Sequence, residues 1–217
     1  MRAGQRLVAS DGYEVALFPL PYMNISQDEG GSYSHQQTYN IDFLGWDSNG
    51  RVYQAPVYAP CTMKVMYTGL TYAGGNTVGF QSVNKVHLAN GQLDYLCILF
   101  AHDSNPPITT IGAVVQQGDL CYHTGTYGNV TGDHVHSCCG QGTWQGQTQR
   151  PSGHWDLTNR IHYYDAVYIN DTTIINGEGH NWITWTGPTP IPTPTRSKFP
   201  WVLYARKFRE MRNKLWI

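Results

Sequence analysis

Residues 93–102 read Leu-Asp-Tyr-Leu-Cys-Ile-Leu-Phe-Ala-His, and this stretch decides the fold class of the chain. Residues 95–101 are apolar throughout, and the alternation of side chains along a β-strand places Ile98, Phe100 and His102 on one face. The pair Asn90-Gly91 just before it is a strong signal for a two-residue hairpin turn. The sequence therefore predicts an antiparallel strand that ends in a histidine.

The same alternation recurs along most of the 217 residues. Only 13% of the residues are charged, and 23 glycines and 12 prolines punctuate the chain, a composition that excludes a long-helix or coiled-coil protein. We expect an all-β fold, an antiparallel sheet or sandwich. The predicted strands are 40–44, 57–67, 77–83, 85–88, 93–102, 113–115, 119–124, 134–138 and 166–170.

The end of the sequence differs from the rest in composition. Residues 187–195 alternate proline with other residues, which is typical of an extended, semi-rigid spacer. Residues 196–217 hold seven of the 14 basic residues and one acid, with Trp201, Tyr204 and Phe208 at helical spacing. We expect a β domain over 1–186, a linker over 187–195 and a basic amphipathic helix over 196–217. This helix could dock on a partner protein, dock on an anionic surface or fold back onto the domain.

Several classes of protein are excluded by what the sequence lacks. The longest apolar run, 95–101, is far shorter than the roughly 20 residues that cross a bilayer. The apolar stretch 15–23 is broken by Pro19 and Pro21, and the residues just before it include Asp11 and Glu14 in place of a basic region. We therefore expect no signal peptide. No basic stripe with interleaved aromatics runs through residues 1–195, so the sequence does not favour nucleic-acid binding by this part of the chain. The five cysteines form no CxxC pair, which favours buried, reduced thiols.

The segment Asp133-His134-Val135-His136 places two imidazoles two residues apart. On a strand both point to the same face, and Cys138 continues that face. Two such imidazoles suit a zinc site, although two histidines on a half-exposed strand need no metal. Further ligands must then come from another part of the chain.

A second polar group lies near the beginning of the sequence. His35 follows a glycine-rich approach, and Asp42 stands between Ile41 and Phe43 on a short predicted strand. A carboxylate between two core-forming residues is costly to bury without a partner, and metal ligation is one way to satisfy it. These two side chains are therefore candidate ligands.

Taken in order, these segments resemble the lysostaphin-type (LytM-type) zinc endopeptidases, which cut peptidoglycan cross-links. The resemblance covers about residues 24–140. Its pieces are Tyr33-Ser34-His35 with Asp42-Phe43, the strand opening Pro56–Pro60, Phe100-Ala101-His102, Val114–Asp119, and the glycine-spaced run Gly125–His136. Six residues separate His35 from Asp42, where this family often has three.

The resemblance implies that zinc is held by His35, Asp42 and His136. It also implies that His102 and His134 lie beside the metal as the catalytic pair, one accepting a proton and the other stabilising the oxyanion. Which of them has which role is left open. Three ligands leave a fourth position free, as in other catalytic zinc sites.

The function so implied is zinc-dependent cleavage of the cross-links or stem peptides of bacterial peptidoglycan. Such an enzyme without a signal peptide, followed by a spacer and a basic tail, is what a bacteriophage would encode, either in the tail tip of the virion or as an endolysin released from the host cytoplasm to the wall for host cell lysis. Residues 196–217 would dock it on a tail protein. The alternative is a non-catalytic structural or wall-binding tail module that retains the fold.

Overall fold

The computed structural model describes residues 1–71 and 74–187, and over these residues the protein is mostly β. The strands are β1 (Tyr22–Gln27), β2 (Ile41–Phe43), β3 (Trp46–Asp47), β4 (Gly50–Arg51), β5 (Pro56–Tyr58), β6 (Met63–Thr71), β7 (Gly75–Ser82), β8 (Val86–His87), β9 (Leu93–Asp94), β10 (Leu96–Asp103), β11 (Val114–Val115), β12 (Leu120–His123), β13 (Val135–Gln141), β14 (Gln147–Gln149), β15 (Trp155–Leu157), β16 (Arg160–Ile161) and β17 (Thr173–Asn176), with one short helix, α1 (Tyr163–Ala166). The predicted helix over 196–217 and all but the first residue of the predicted linker lie outside the described residues.

Nine strands form the main sheet, in the order β11-β6-β7-β10-β13-β2-β1-β17, with β16 also paired to β13. The predicted strand 93–102 supplies the centre, because β10 pairs antiparallel with both β7 and β13. Two-stranded ribbons β5–β12, β14–β15, β3–β4 and β8–β9 surround it.

The sheet is mixed, so the expectation of a purely antiparallel fold is wrong at one edge. There β1 pairs parallel with β17. The reason lies just before these strands, where Leu17 and Tyr168 already form a parallel bridge. The two segments therefore enter the sheet from the same end and run side by side.

The predicted strand 166–170 is also wrong. Its first residue ends α1, and Tyr168 and Ile169 form only isolated bridges. The predicted strand 57–67 is split, because residues 59–62 separate β5 from β6. Alternation of apolar residues alone did not mark these interruptions.

Both faces of the central strands are buried. On one face, Phe80 and Phe100 belong to the main core, and Tyr122 of the β5–β12 ribbon stacks on Phe100 at a ring-centroid distance of 5.5 Å. Burying such a side chain contributes roughly 1.5–3 kcal/mol. On the other face, Leu99 and Cys138 form a smaller cluster with two other buried residues, against which Trp144 packs. This second face is the one that carries the polar site.

All five cysteines are free and buried, as the sequence predicted. Burial raises the pKa of the Cys97 thiol to about 11. The thiols therefore stay protonated and behave as small apolar residues.

Among the described residues, no helix has both the length and the apolar character that crossing a bilayer requires.

Candidate metal centre and cleft

Three neighbouring segments bring the predicted ligands together. Asp42 of β2 lies directly opposite His136 of β13 in an antiparallel pair. On its other side Asp42 pairs with Gln27, the last residue of β1. His35 lies in the segment that connects β1 to β2, so chain connectivity returns it to the same edge. Strand register thus places two of the three side chains, and a connecting loop places the third.

Three donor atoms of these residues converge. The Oδ1 atom of Asp42 lies 3.0 Å from Nδ1 of His136 and 3.2 Å from Nε2 of His35. The two histidine nitrogens are themselves 3.2 Å apart. His35 and Asp42 are buried, and His136 is half-buried. Within the described chain, this trio is the group of His, Cys, Asp or Glu side chains whose geometry could hold a metal ion.

The protonation states of the trio suit a cation. The Nδ1 atom of His35 donates to the carbonyl of Asp28 at 3.0 Å, so Nε2 is the nitrogen that points toward Asp42 and His136. Burial acts to raise the pKa of Asp42, but hydrogen bonds and charge from His136 and His35 prevail and hold it well below its usual range. Burial lowers the pKa of His136. An ionised carboxylate therefore lies against two imidazole nitrogens, and both are donor types that zinc takes in proteins.

These atoms also match zinc in spacing. Zinc binds imidazole nitrogen and carboxylate oxygen at about 2.0–2.2 Å, so ligand atoms at two corners of a tetrahedron stand about 3.3 Å apart. The three distances of 3.0–3.2 Å lie close to that edge. Two imidazoles and one carboxylate are also a common donor set of catalytic zinc.

The other two predicted residues lie beside this trio. Ring centroids of His102 and His134 are 4.7 Å apart, and His134 Nε2 is 3.6 Å from the Oδ1 atom of Asp42. The Nδ1 atoms donate to the carbonyls of Tyr127 at 3.0 Å and Gly132 at 2.8 Å. In both rings Nδ1 is therefore engaged by the backbone, and Nε2 is the nitrogen that can exchange a proton.

Burial lowers the pKa of His102 to about 3, and the nearby His136 and His134 act in the same direction. A neutral ring is therefore maintained at this position near pH 7.

His102 reaches the site through a break in the strand pattern, which corrects the expectation that it shares a face with Phe100. Leu96, Ile98 and Phe100 enter the main core, whereas His102 lines the opposite, polar face. The pairing of β10 with β7 is irregular between Phe100 and Asp103, and His102 has a φ of +89°. This left-handed conformation, rare for a side-chain-bearing residue, turns the imidazole toward the cleft.

Gly125 supports that turn by close approach. Its backbone exchanges two hydrogen bonds with His134, at 2.9 and 3.1 Å. A Cβ atom added at Gly125 would lie 2.1 Å from the carbonyl oxygen of His102. Only glycine therefore allows the two histidine-bearing segments to pack at this distance.

We expect Gly125→Ala to displace His102 relative to His134. Because the clash is with backbone, relief requires a main-chain shift that costs about 1–3 kcal/mol of unfolding free energy. The matched control is Gly132→Ala, since a Cβ atom there meets nothing within 4 Å. Chemical denaturation of both variants checks this, and equal stabilities would contradict it.

One residue that supports the site was not singled out from the sequence. Asp133, which directly precedes His134, is buried, and its carboxylate accepts from the Thr124 hydroxyl at 2.6 Å and from the Gln54 backbone at 3.1 Å. Arg51 donates to the Asp133 carbonyl. These contacts fix the backbone just before β13 and so position His134. In the sequence, the only sign of this role is an aspartate directly before the His134-Val135-His136 segment.

The five residues open into a cleft of about 870 Å³. Asp42, His102, His134 and His136 line it, and His35 lies buried behind them. Cys138 lines it as well, as the shared face with His134 and His136 predicted.

Two aromatic side chains on the cleft walls are strongly exposed. Tyr33 is 75% and Trp155 is 54% accessible, and both line the cleft. Trp155 is carried by the β14–β15 hairpin, which is tied to the segment before β2 by a hydrogen bond from Asn40 to the Trp155 carbonyl, 2.8 Å long. Exposed rings of this kind are typical of binding surfaces.

Known proteins are similar to this chain in sequence and in structure. No family model matches the chain. The chain is 34% identical over 176 residues to "Morphogenesis protein 1" of Bacillus phage B103, an alignment that covers 81% of this chain and 46% of that protein. The chain thus spans about half the length of this relative.

The solved structures that match this chain include peptidases. A zinc-containing peptidase from Vibrio cholerae has 18% sequence identity and a TM-score of 0.41, over 62% of this chain and 42% of that one. The catalytic domain of lysostaphin from Staphylococcus simulans has 19% identity and a TM-score of 0.37, over 61% of this chain and 84% of that one.

Proposed function

We propose that this chain is a lysostaphin-type zinc endopeptidase that cleaves cross-links or stem peptides of bacterial peptidoglycan. One observation carries the proposal. The side chains of His35, Asp42 and His136 converge within hydrogen-bonding distance of one another, beside the rings of His102 and His134 and at the wall of a peptide-sized cleft. All five residues that the sequence motifs single out thus meet in one place.

In this proposal His35, Asp42 and His136 hold zinc. The ion would lower the pKa of water from about 15.7 toward about 7 and polarise a peptide carbonyl. The Nε2 atom of His102 or His134 would accept a proton, and that atom would then be a donor toward the leaving amine or the developing oxyanion. Each such role is worth roughly 10²-fold or more in rate. The carbonyls of Tyr127 and Gly132 keep both rings in the required tautomer.

The cleft suits a peptide of low charge. Its lining combines amide, hydroxyl and aromatic side chains, and Arg51 is the sole lysine or arginine among the described residues that form it. The guanidinium of Arg51 is engaged by the carbonyls of Gly45 and Asp133. Contacts to a bound peptide would then come mainly from exposed rings such as Tyr33 and Trp155.

We expect Trp155→Ala to raise KM about 5- to 20-fold and leave kcat within about twofold, because the ring lies away from the reacting atoms and an aromatic contact contributes about 1–2 kcal/mol. Steady-state cleavage of a soluble muropeptide measures both constants. The control is Tyr13→Ala, since Tyr13 is also exposed but packs against His87 outside the cleft. An unchanged KM for Trp155→Ala would exclude this wall from substrate binding.

The proposal is tested by metal analysis together with digestion of dye-labelled peptidoglycan. We expect near one equivalent of zinc, release of dye, loss of release with a chelator and recovery with added zinc. Mass spectrometry of the products identifies the peptide bond. Stoichiometric zinc without any cleavage would instead favour the alternative, a structural or wall-binding module that retains the fold.

The biological setting is proposed from the relative. The name of the phage B103 protein refers to morphogenesis, and we propose that this chain acts in a phage, at the tail tip or during lysis. The domain 1–186 would carry the chemistry, and the basic segment 196–217 beyond the linker 187–195 would dock on a tail protein. Proteomics of purified virions distinguishes the tail role from an endolysin released to the wall.

A further inference from the structure

Two acidic residues, Asp28 and Glu29, begin the segment that carries His35. The carbonyl of Asp28 accepts the Nδ1 proton of His35. This bond sets the tautomer and the orientation of the ring, and so determines where its Nε2 atom points. The position of Asp28 therefore controls the position of the candidate ligand.

Both carboxylates are held by histidines from a distant part of the chain. The Nε2 atom of His180 lies 2.9 and 2.8 Å from the two carboxylate oxygens of Asp28. His162 Nδ1 hydrogen-bonds one carboxylate oxygen of Glu29, and the backbone N–H of Tyr163 donates to the other at 2.8 Å. Burial acts to raise the pKa of Glu29, so these donors also compensate a buried acid.

An aromatic stack packs against the other end of the same segment. Tyr39, four residues after His35, stacks on His162 with a centroid distance of 4.0 Å. The stack continues from His162 to Tyr164 at 4.9 Å and from Tyr164 to His180 at 4.5 Å. The planes within it differ by 22°, 13° and 25°. His162 thus contacts both ends of the His35 segment, whereas His180 contacts its beginning and joins the stack through Tyr164.

We infer that His162 and His180 are positioning residues for the metal ligand His35. Neither belongs to the ligand trio or lines the cleft. Both lie beyond residue 140, outside the part of the sequence that carries the peptidase motifs. The inference rests on the proposed metal site. It adds that residues 160–182, on the side of His35 away from the cleft, hold the segment that carries this ligand. Loss of a partner that orients a metal-binding histidine typically costs about 10- to 100-fold in metal affinity.

The test is the zinc affinity of His162→Leu and His180→Leu, measured by competition with a chromogenic chelator. We expect the zinc Kd of each to rise at least about 10-fold. The matched control is His87→Leu, because His87 Nε2 makes the same kind of contact, 2.9 Å from a carboxylate oxygen of Asp11, away from the site. The unfolding free energy of each metal-free variant is measured alongside.

Conservative variants separate positioning from general stability. His180→Gln and His162→Asn keep an N–H group near the position of the ring nitrogen, so we expect zinc affinity to return to within a fewfold of the wild type. The visible spectrum of the cobalt-loaded protein should change in the leucine variants and return in the amide variants. Wild-type zinc affinity in both leucine variants, or an equal loss in His87→Leu, would overturn the inference.

The readout also keeps this inference distinct from the proposed function. If the wild-type protein binds zinc and the leucine variants bind it less tightly, the positioning role holds even when no peptidoglycan is cut. Failure to cleave then contradicts the proposed function alone.

Discussion

His136→Ala and Asp42→Ala are each expected to reduce bound zinc from near one equivalent to below about 0.1 and to lower peptidoglycan cleavage at least about 10³-fold. The reason is geometric. Each side chain contributes one of three donor atoms that lie 3.0–3.2 Å apart, and two remaining donors do not make a tight site. Atomic emission after dialysis measures the metal, and dye release measures the cleavage.

The control for both variants is His87→Ala, because this imidazole pairs with Asp11 outside the cleft. It should retain zinc and full activity. Stoichiometric zinc in His136→Ala or Asp42→Ala would show that the ion, if bound, is held elsewhere, and the ligand assignment would then be wrong.

His102→Ala and His134→Ala are expected to behave in the opposite way, with cleavage lowered about 10²-fold or more and zinc retained near one equivalent. His134 Nε2 lies 3.6 Å from Asp42 Oδ1, and the ring of His102 packs against the rings of His134 and His136. Their Nδ1 atoms are occupied by the carbonyls of Tyr127 and Gly132. Removal of either ring therefore takes away proton transfer and leaves the metal ligands in place.

Loss of zinc from His102→Ala or His134→Ala would contradict this division of roles. The pH dependence of kcat for the two single variants would further indicate which ring accepts the proton. The variant that lacks the accepting ring should lose the acidic limb of the profile, because that limb reports protonation of the base.

Much of the candidate site could be predicted from the sequence because its side chains lie in short, regular segments. His136 lies on β13 with His134 directly before that strand, and Asp42 stands between two core residues, so a period of two alone gave their orientation. His102 shows the limit of that reasoning. Its left-handed backbone reverses the face on which it lies, and the tertiary contact with Gly125 that accompanies it leaves no mark in local periodicity.

The edges of the fold were harder to predict than its centre. Apolar and polar residues do not alternate regularly along β1 and β17, which pair with each other at one side of the sheet. At this edge, β17 exposes Ile174 and Ile175. The roles of His162 and His180 were equally invisible, since each acts through a carboxylate more than 130 positions away. Pairings of such long range follow from the fold and cannot be derived from the residues next to them.

The parallel pairing of β1 with β17 has a consequence for biosynthesis. Strand β1, which leads directly into the His35 segment, can pair with β17 only after residues 173–176 have left the ribosome. A nascent chain that ends soon after His136 already contains every candidate ligand, yet its first strand has an open edge and the acids beside His35 have no imidazole partners. Binding of the proposed zinc ion is therefore expected to be a late event of folding, after residues 173–180 have been translated.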